Sequence, residues 1–129
     1  MQSFALRLHP NQDLKQELIH FTKENNIKAG AILTCVGSLK KAIIRTANEK
    51  RILSLEQNFE IVSLIGTLSL DGVHIHISLA TEEGHVIGGH LKEGCIIKTT
   101  AEIVIISFEK FSFSREFDTH TGYKELNIV

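Results

Sequence analysis

The chain has 129 residues, with 43% hydrophobic and 22% charged residues and a mean hydropathy of +0.06. That is enough for one hydrophobic core and too little for two, without the charge excess of a disordered chain or an apolar window long enough to span a bilayer. A formal net charge of -1 and a pI near 6.6 exert no overall pull on nucleic acid, so any DNA contact depends on a local basic patch.

Cys35 and Cys95 sit in apolar surroundings (ILTCVG and EGCIIK), and the first residues, MQSFALRL, lack the basic start and long apolar run of a signal peptide. Two buried free thiols in a cytoplasmic protein are therefore expected. There is no Pro/Ser-rich linker, repeat or low-complexity tract, and residues 1–129 read as a single domain.

In chain order, residues 3–8 read as a strand and Pro10 marks a break. Asn11, Gln12 and Asp13 then offer a helix cap, and Leu14, Leu18 and Phe21 recur at helical spacing until Asn25 and Asn26 end the pattern. From Ala29 the code changes to short β-branched runs: AGAILTCVG, KAIIRTAN, RILSLE, FEIVSLIGTLSL, VHIHISLA, HVIGGHL, CIIKTTAEIVIISF and FSFSREF. About eight strands beside one helix predict an α+β fold, one helix packed on a twisted, mainly antiparallel sheet. Asp71-Gly72 predicts a two-residue hairpin between 59–70 and 73–80. Residues 103–108, nearly all apolar, predict a central strand buried on both faces or covered by a neighbouring subunit.

In the run 73–80 the strand period of two sends Val73, Ile75, Ile77 and Leu79 to one face and His74, His76 and Ser78 to the other. If a turn through Glu82, Glu83 and Gly84 pairs Ala80 with Val86, His76 falls directly opposite His90 and three imidazoles converge. A slip of one residue would undo this. Three imidazoles with an open fourth position suit Zn²⁺ or another divalent transition metal, with Glu82, Glu83 or His85 as a further ligand or second layer and Glu82 or Glu83 as a base. Proton competition predicts that occupancy falls through the imidazole range near ~6.5. A polar strand face of hydrogen-bonded histidines would give the same pattern. Gly88-Gly89 points to a bulge, a turn, or close approach of backbone to a ligand or another chain.

Lys40, Lys41, Arg45, Lys50 and Arg51 cluster along a predicted hairpin and form the candidate DNA-contact patch, a pattern that a solvated face also produces. Glu60, Glu102 and Arg115 are charges inside apolar or aromatic strands and are expected to pair, across subunits if not within one. No Ser-His-Asp order, phosphate loop or dinucleotide fingerprint supports covalent catalysis.

FALRLHPNQDL, FEIVSLIGTLSLDGVHIHISLA, GGHLKEGCIIKTTAEIVI and the tail FSREFDTHTGYKEL, in that order, resemble the plants and prokaryotes conserved (PPC) domain family over essentially the whole chain. The resemblance implies a homotrimer that buries apolar strand faces, and histidines at the positions of His74, His76 and His90 that hold a metal in some members. Plant members carry an Arg-Gly-Arg-Pro AT-hook core, which this sequence lacks, and Gly-Arg before Phe-Glu-Ile where this chain has Gln57 and Asn58 before Phe59-Glu60-Ile61. It resembles the bare prokaryotic form. Two functions follow as expectations: a trimeric DNA-binding or regulatory module, or a metal-dependent enzyme or small-molecule-binding protein using His74, His76 and His90.

Overall fold

The computed structural model describes residues 1–129. Strand β1 (Gln2–Leu8) leads into helix α1 (Leu14–Glu24), followed by β2 (Gly30–Arg45), β3 (Ile52–Leu55), β4 (Phe59–Ser69), β5 (Gly72–Ala80), β6 (Val86–Leu91), β7 (Ile96–Ser107), β8 (Phe113–Phe117) and β9 (Lys124–Ile128). Seven strands form one sheet ordered β1-β7-β2-β4-β5-β6 with β3 attached to β2, every pairing antiparallel, while β8 and β9 pair separately. The predicted α+β architecture, one helix on a mainly antiparallel sheet, is the one observed.

The helix starts where its cap predicts. The Asp13 carboxylate accepts the Gln16 N–H at 3.1 Å with one oxygen and the Gly94 N–H at 2.7 Å with the other, which ties the helix start to the β6–β7 connection. Leu14, Leu18 and Thr22 point inward, and the buried Thr22 hydroxyl donates to the Leu18 carbonyl at 2.7 Å, so its burial leaves no polar group unmet. Phe21 lies at the edge of the helix face and meets the Phe4 ring edge-on at 5.8 Å between centroids. Beneath the helix runs one contiguous core of 22 buried residues. Cys35 and Cys95 belong to it as free thiols, and burial pushes Cys35 up to about 12 and Cys95 up to about 11.

Two predicted strands, AGAILTCVG and KAIIRTAN, are one continuous β2 of 16 residues. Register shifts between Ile32 and Thr34, Gly37 and Leu39, and Leu39 and Lys41 mark irregularities of the kind that let a long strand bend. The bend has a consequence at the far end. Past its pairing with β7 and β4, β2 meets β3 and also β6, with Ile44 opposite Leu91 and Arg45 opposite His90. The sheet thus curls until its last strand, β6, returns to β2.

That return requires backbone to run close to backbone, which explains the Gly88-Gly89 pair. A Cβ on Gly88 would stand 2.4 Å from the Ile77 carbonyl oxygen, and one on Gly89 would stand 2.4 Å from the Arg45 carbonyl oxygen. The close approach anticipated from the sequence is between strands of this chain. The β4–β5 hairpin falls one residue earlier than predicted, with Leu70 and Asp71 in the loop and Gly72 opening β5 at φ 142°. The tail adds β9, which the sequence reading did not separate from its surroundings.

Residues 103–108 do not form a strand buried on both faces within one chain. Ile103 and Ile105 enter the core, Val104 and Ile106 are half-buried on the opposite face, and Phe108 lies beyond the strand end. That second face also carries apolar side chains exposed to solvent in the single chain: Val36 is 59% exposed, and Ile65 60%. The charges expected to pair form no ion pair within the chain. Glu60 and Glu102 are exposed and keep their hydration, Arg7 stands opposite Glu102 across the ladder, and Arg115 hydrogen-bonds to Thr67.

Because Ile105 is fully buried in the core, Ile105→Lys should unfold the chain. The expected loss is several kcal/mol, on the order of ~3 or more for an unpaired buried charge, and denaturant titration would measure it. An unchanged denaturation midpoint would show that the site takes water.

Candidate metal centre

The register that brings the histidines together is the one the sequence predicts: Ala80 pairs with Val86 and His76 with His90. His74 stands two residues before His76 on the same face of β5, and Ile75, Ile77 and Leu79 fill the core behind them. The three rings form a compact triangle, with centroids 5.1 Å apart for His74 and His76, 5.0 Å for His74 and His90, and 5.7 Å for His76 and His90.

One ligating nitrogen from each lies within 4.8 Å of the others. Nitrogens bound to a tetrahedral ion at ~2.0–2.1 Å stand roughly 3.3 Å apart, so the rings need to draw together by no more than about 1.5 Å. His90 Nδ1 is buried and has no hydrogen-bond partner, so a ring of the cluster carries a nitrogen with unmet bonding capacity. The donor set also suits a cation. Burial, then the neighbouring His76 and Arg115 charges, hold His74 below the usual imidazole range, and burial, then Arg45 and His74, push His90 down to about 4. Both rings are therefore neutral at neutral pH, the form that carries a free lone pair.

Beside the triangle opens a cleft of ≈ 330 Å³ whose walls include Arg45, His74, His90, Arg115 and Tyr123. Arg45 faces His90 across β2 and β6, and its Nε is buried without an acceptor. The Arg115 guanidinium donates to Thr67 Oγ1 at 2.9 Å, and Thr67 is the cross-strand partner of His74. Tyr123, in the β8–β9 turn, lies with its ring centroid 5.9 Å from the Arg45 guanidinium carbon and donates its hydroxyl to Glu49 at 2.6 Å.

Other sequence candidates fall elsewhere. Glu82, Glu83 and His85 occupy the β5–β6 turn, roughly 13 Å along the strand from His76 at the usual rise per residue, so none joins the triangle. Glu82 instead accepts from the Asn58 amide at 2.7 Å. The basic cluster divides. Lys40 is hydrogen-bonded to Asn11, Lys50 and Arg51 are exposed in the β2–β3 connection, Lys41 is half-buried, and Arg45 belongs to the cleft. Arg115 had a sequence signal, a charge inside an aromatic strand. Tyr123 had none.

The sequence profile of the Plants and Prokaryotes Conserved (PCC) domain matches residues 1–109. The chain belongs to this family. Among curated relatives, the bifunctional protein GlmU of Synechococcus sp. (strain JA-3-3Ab) is 45% identical over 128 residues, covering 99% of this chain and 21% of that protein. The chain thus spans about a fifth of the length of the curated relatives it matches. A solved structure from Salmonella cholerae-suis superposes with a TM-score of 0.96 at 38% identity, over 99% of this chain and 93% of that one. The crystal structure of a metal-containing protein from Archaeoglobus fulgidus matches with a TM-score of 0.85 at 28% identity, over 98% and 94%. A candidate DNA-binding protein from Bacteroides thetaiotaomicron, at 22% identity, 97% and 91% coverage and a TM-score of 0.86, shares the fold. No helix of this chain is long and apolar enough to cross a membrane.

His90 makes the metal-free chain acid-sensitive. Its folded value near 4 lies below the unfolded imidazole value of about 6.5, so between these limits the unfolded state binds more protons. Stability conferred by the neutral ring is present above about 6.5 and is lost as pH falls toward 4. In chelator-treated protein His90→Asn should therefore show a shallower decline of Tm from pH 7 to pH 4 than wild type; identical slopes would show that the ring titrates normally.

Proposed function

We propose that this protein is a homotrimeric metal-binding module in which His74, His76 and His90 hold a divalent transition ion, Zn²⁺ by preference, and leave one position for a small molecule entering from the cleft. The convergence of three ligating nitrogens within 4.8 Å on a rigid pair of strands carries this reading. The buried, partnerless His90 nitrogen supports it, as does the metal content of the A. fulgidus relative. When bound, the ion supplies Lewis acidity to an oxygen in its open position. The chain's own contribution is to keep His74 and His90 unprotonated and to wall one side of the site with Arg45, Arg115 and Tyr123. A DNA-contacting role draws less support. With Lys40 engaged and Arg45 in the cleft, Lys41, Lys50 and Arg51 remain as free contacts, and few phosphate contacts bind weakly at physiological salt.

Trimer assembly is part of the proposal, because Val36, Val62 and Ile65 present an apolar surface that a monomer would leave in water. Ile65 is the cross-strand partner of His76, so this surface adjoins the metal triangle.

Elemental analysis of untagged protein should find one metal per chain. His76→Ala should weaken binding more than ~100-fold, beyond what removal of a mere supporting partner costs. His20→Ala and His120→Ala should have no effect, since His20 pairs with Glu24 on the helix and His120 lies beside Asp118 in the distal turn. Occupancy should fall as pH is lowered through the imidazole range and below, because protons compete with the ion for the same lone pairs while burial holds His74 and His90 below their usual value. Stoichiometric metal in His76→Ala, or none in wild type, would overturn the site.

Light scattering should give about three times the 14.4 kDa chain mass. Val36→Asp, at an exposed position facing Glu102, should lower that mass while leaving the circular dichroism spectrum of the fold unchanged. A monomeric wild type at micromolar concentration would sink the trimer.

A further inference from the structure

The cleft beside the histidines holds charge that metal binding alone does not use. We propose that it receives a small α-hydroxy or α-keto carboxylic acid, whose carboxylate lies on the guanidiniums of Arg45 and Arg115 while its neighbouring oxygen turns toward the ion; this rests on the metal reading above.

The strand pairings set both arginines against the triangle. Arg45 and His90 are directly opposed on β2 and β6, and residues opposed in an antiparallel ladder project from the same face with Cβ atoms about 4.5–5.5 Å apart. Arg115 reaches the triangle from a separate sheet, fixed at 2.9 Å to Thr67, which in turn opposes His74. Each arginine is thus tied to a different histidine, and both line the cleft. Neither guanidinium is neutralised by a carboxylate within ion-pair distance in this chain. The buried Arg45 Nε–H, moreover, has no acceptor at all. Buried donors without acceptors are rare, and this one belongs to a residue that lines the cleft.

The surroundings restrict what that acceptor is. Planar guanidinium forks match an oxyanion through paired N–H donors. Arg45, Arg115 and Lys124 outnumber the carboxylates Asp71 and Glu125 along the cleft, which favours an anion. The two carboxylates nonetheless disfavour a doubly charged group such as phosphate, so a singly charged carboxylate is the better fit. At ≈ 330 Å³ the space is at the low end for ligand sites and admits a small molecule. The arginines are also held before any ligand arrives. The backbone N–H of Arg115 donates to the Asp71 carboxylate at 2.7 Å, pinning β8 over the β4–β5 turn, and the Tyr123 ring, anchored by Glu49, stands 5.9 Å from the Arg45 guanidinium. Four of the ten lining residues, Arg115, Tyr123, Lys124 and Glu125, lie beyond the matched residues 1–109, so the terminal hairpin completes a site that the shared part of the fold begins.

The full chain loaded with Co²⁺ reports both steps, since its visible absorption records the ion and shifts when a ligand joins it. Glycolate should move the band saturably, and inorganic phosphate should bind more weakly. Arg45→Gln and Arg115→Gln should each weaken glycolate about tenfold or more, read as a glycolate Kd measured on protein already saturated with Co²⁺. Arg45→Lys, which keeps the charge and loses the fork, should fall between Gln and wild type and guards against a fold defect. If wild type gives no cobalt band, the metal reading fails and this proposal with it. A band that glycolate does not move, or moves equally in the Gln variants, overturns the carboxylate receptor and leaves the metal site intact. Phosphate binding tighter than glycolate overturns the assignment to carboxylic acids.

Discussion

The return of β6 onto β2 is the constraint on which the rest of the molecule depends. β6 pairs with β5 along its length and with β2 at its end, and both contacts are backbone to backbone at Gly88 and Gly89. A side chain at either position would collide with a carbonyl oxygen of the neighbouring strand. Close packing on both sides leaves little freedom for sliding, so His90 is held against His76 on one side and Arg45 on the other. A site built on paired strands rather than loops keeps its geometry without a ligand to organise it.

The division of the sheet into two unlike faces follows from strand parity. Ile75, Ile77 and Leu79 lock β5 into the core, and the same alternation forces His74 and His76 outward. A one-residue slip would bury two imidazoles and expose three aliphatic side chains, so the hydrophobic effect enforces the histidine register indirectly. Depressed proton affinity at His74 and His90 has the same origin. Partial burial between strands, reinforced by Arg45 and Arg115, disfavours the imidazolium and preserves the lone pairs.

The second face joins apolar surface to chemistry. Ile65 opposes His76, and Val36 opposes Glu102, so the region best suited to a subunit contact runs up to the histidines. Assembly over that face would exclude water from one flank of the triangle while the β8–β9 hairpin walls the other. Electrostatic interactions strengthen in such a setting, because fewer waters compete for the same donors.

Local information was sufficient for much of this. The Asp13 cap and the Leu14 and Leu18 spacing placed the helix. Val73 to Ala80 alternation with a short return turn placed His76 opposite His90, because both signals act over a few residues and strand parity admits only two faces. What lay beyond reach were contacts between residues far apart in the chain. Nothing near Arg45 says that β2 continues unbroken through 16 residues or that its end meets β6, so its charge read as part of a basic patch. Glu82 and Glu83 looked close to the histidines in sequence, yet an extended strand carries them away at about 3.3 Å per residue. Arg115 and Tyr123 reach the cleft because a separate hairpin folds back over the β4–β5 turn, held by an Asp71 hydrogen bond that spans 44 residues. Periodicity determines which way a side chain points along its own strand; which distant strand it then faces is decided by how the sheet bends and closes, and only the tertiary structure holds that information.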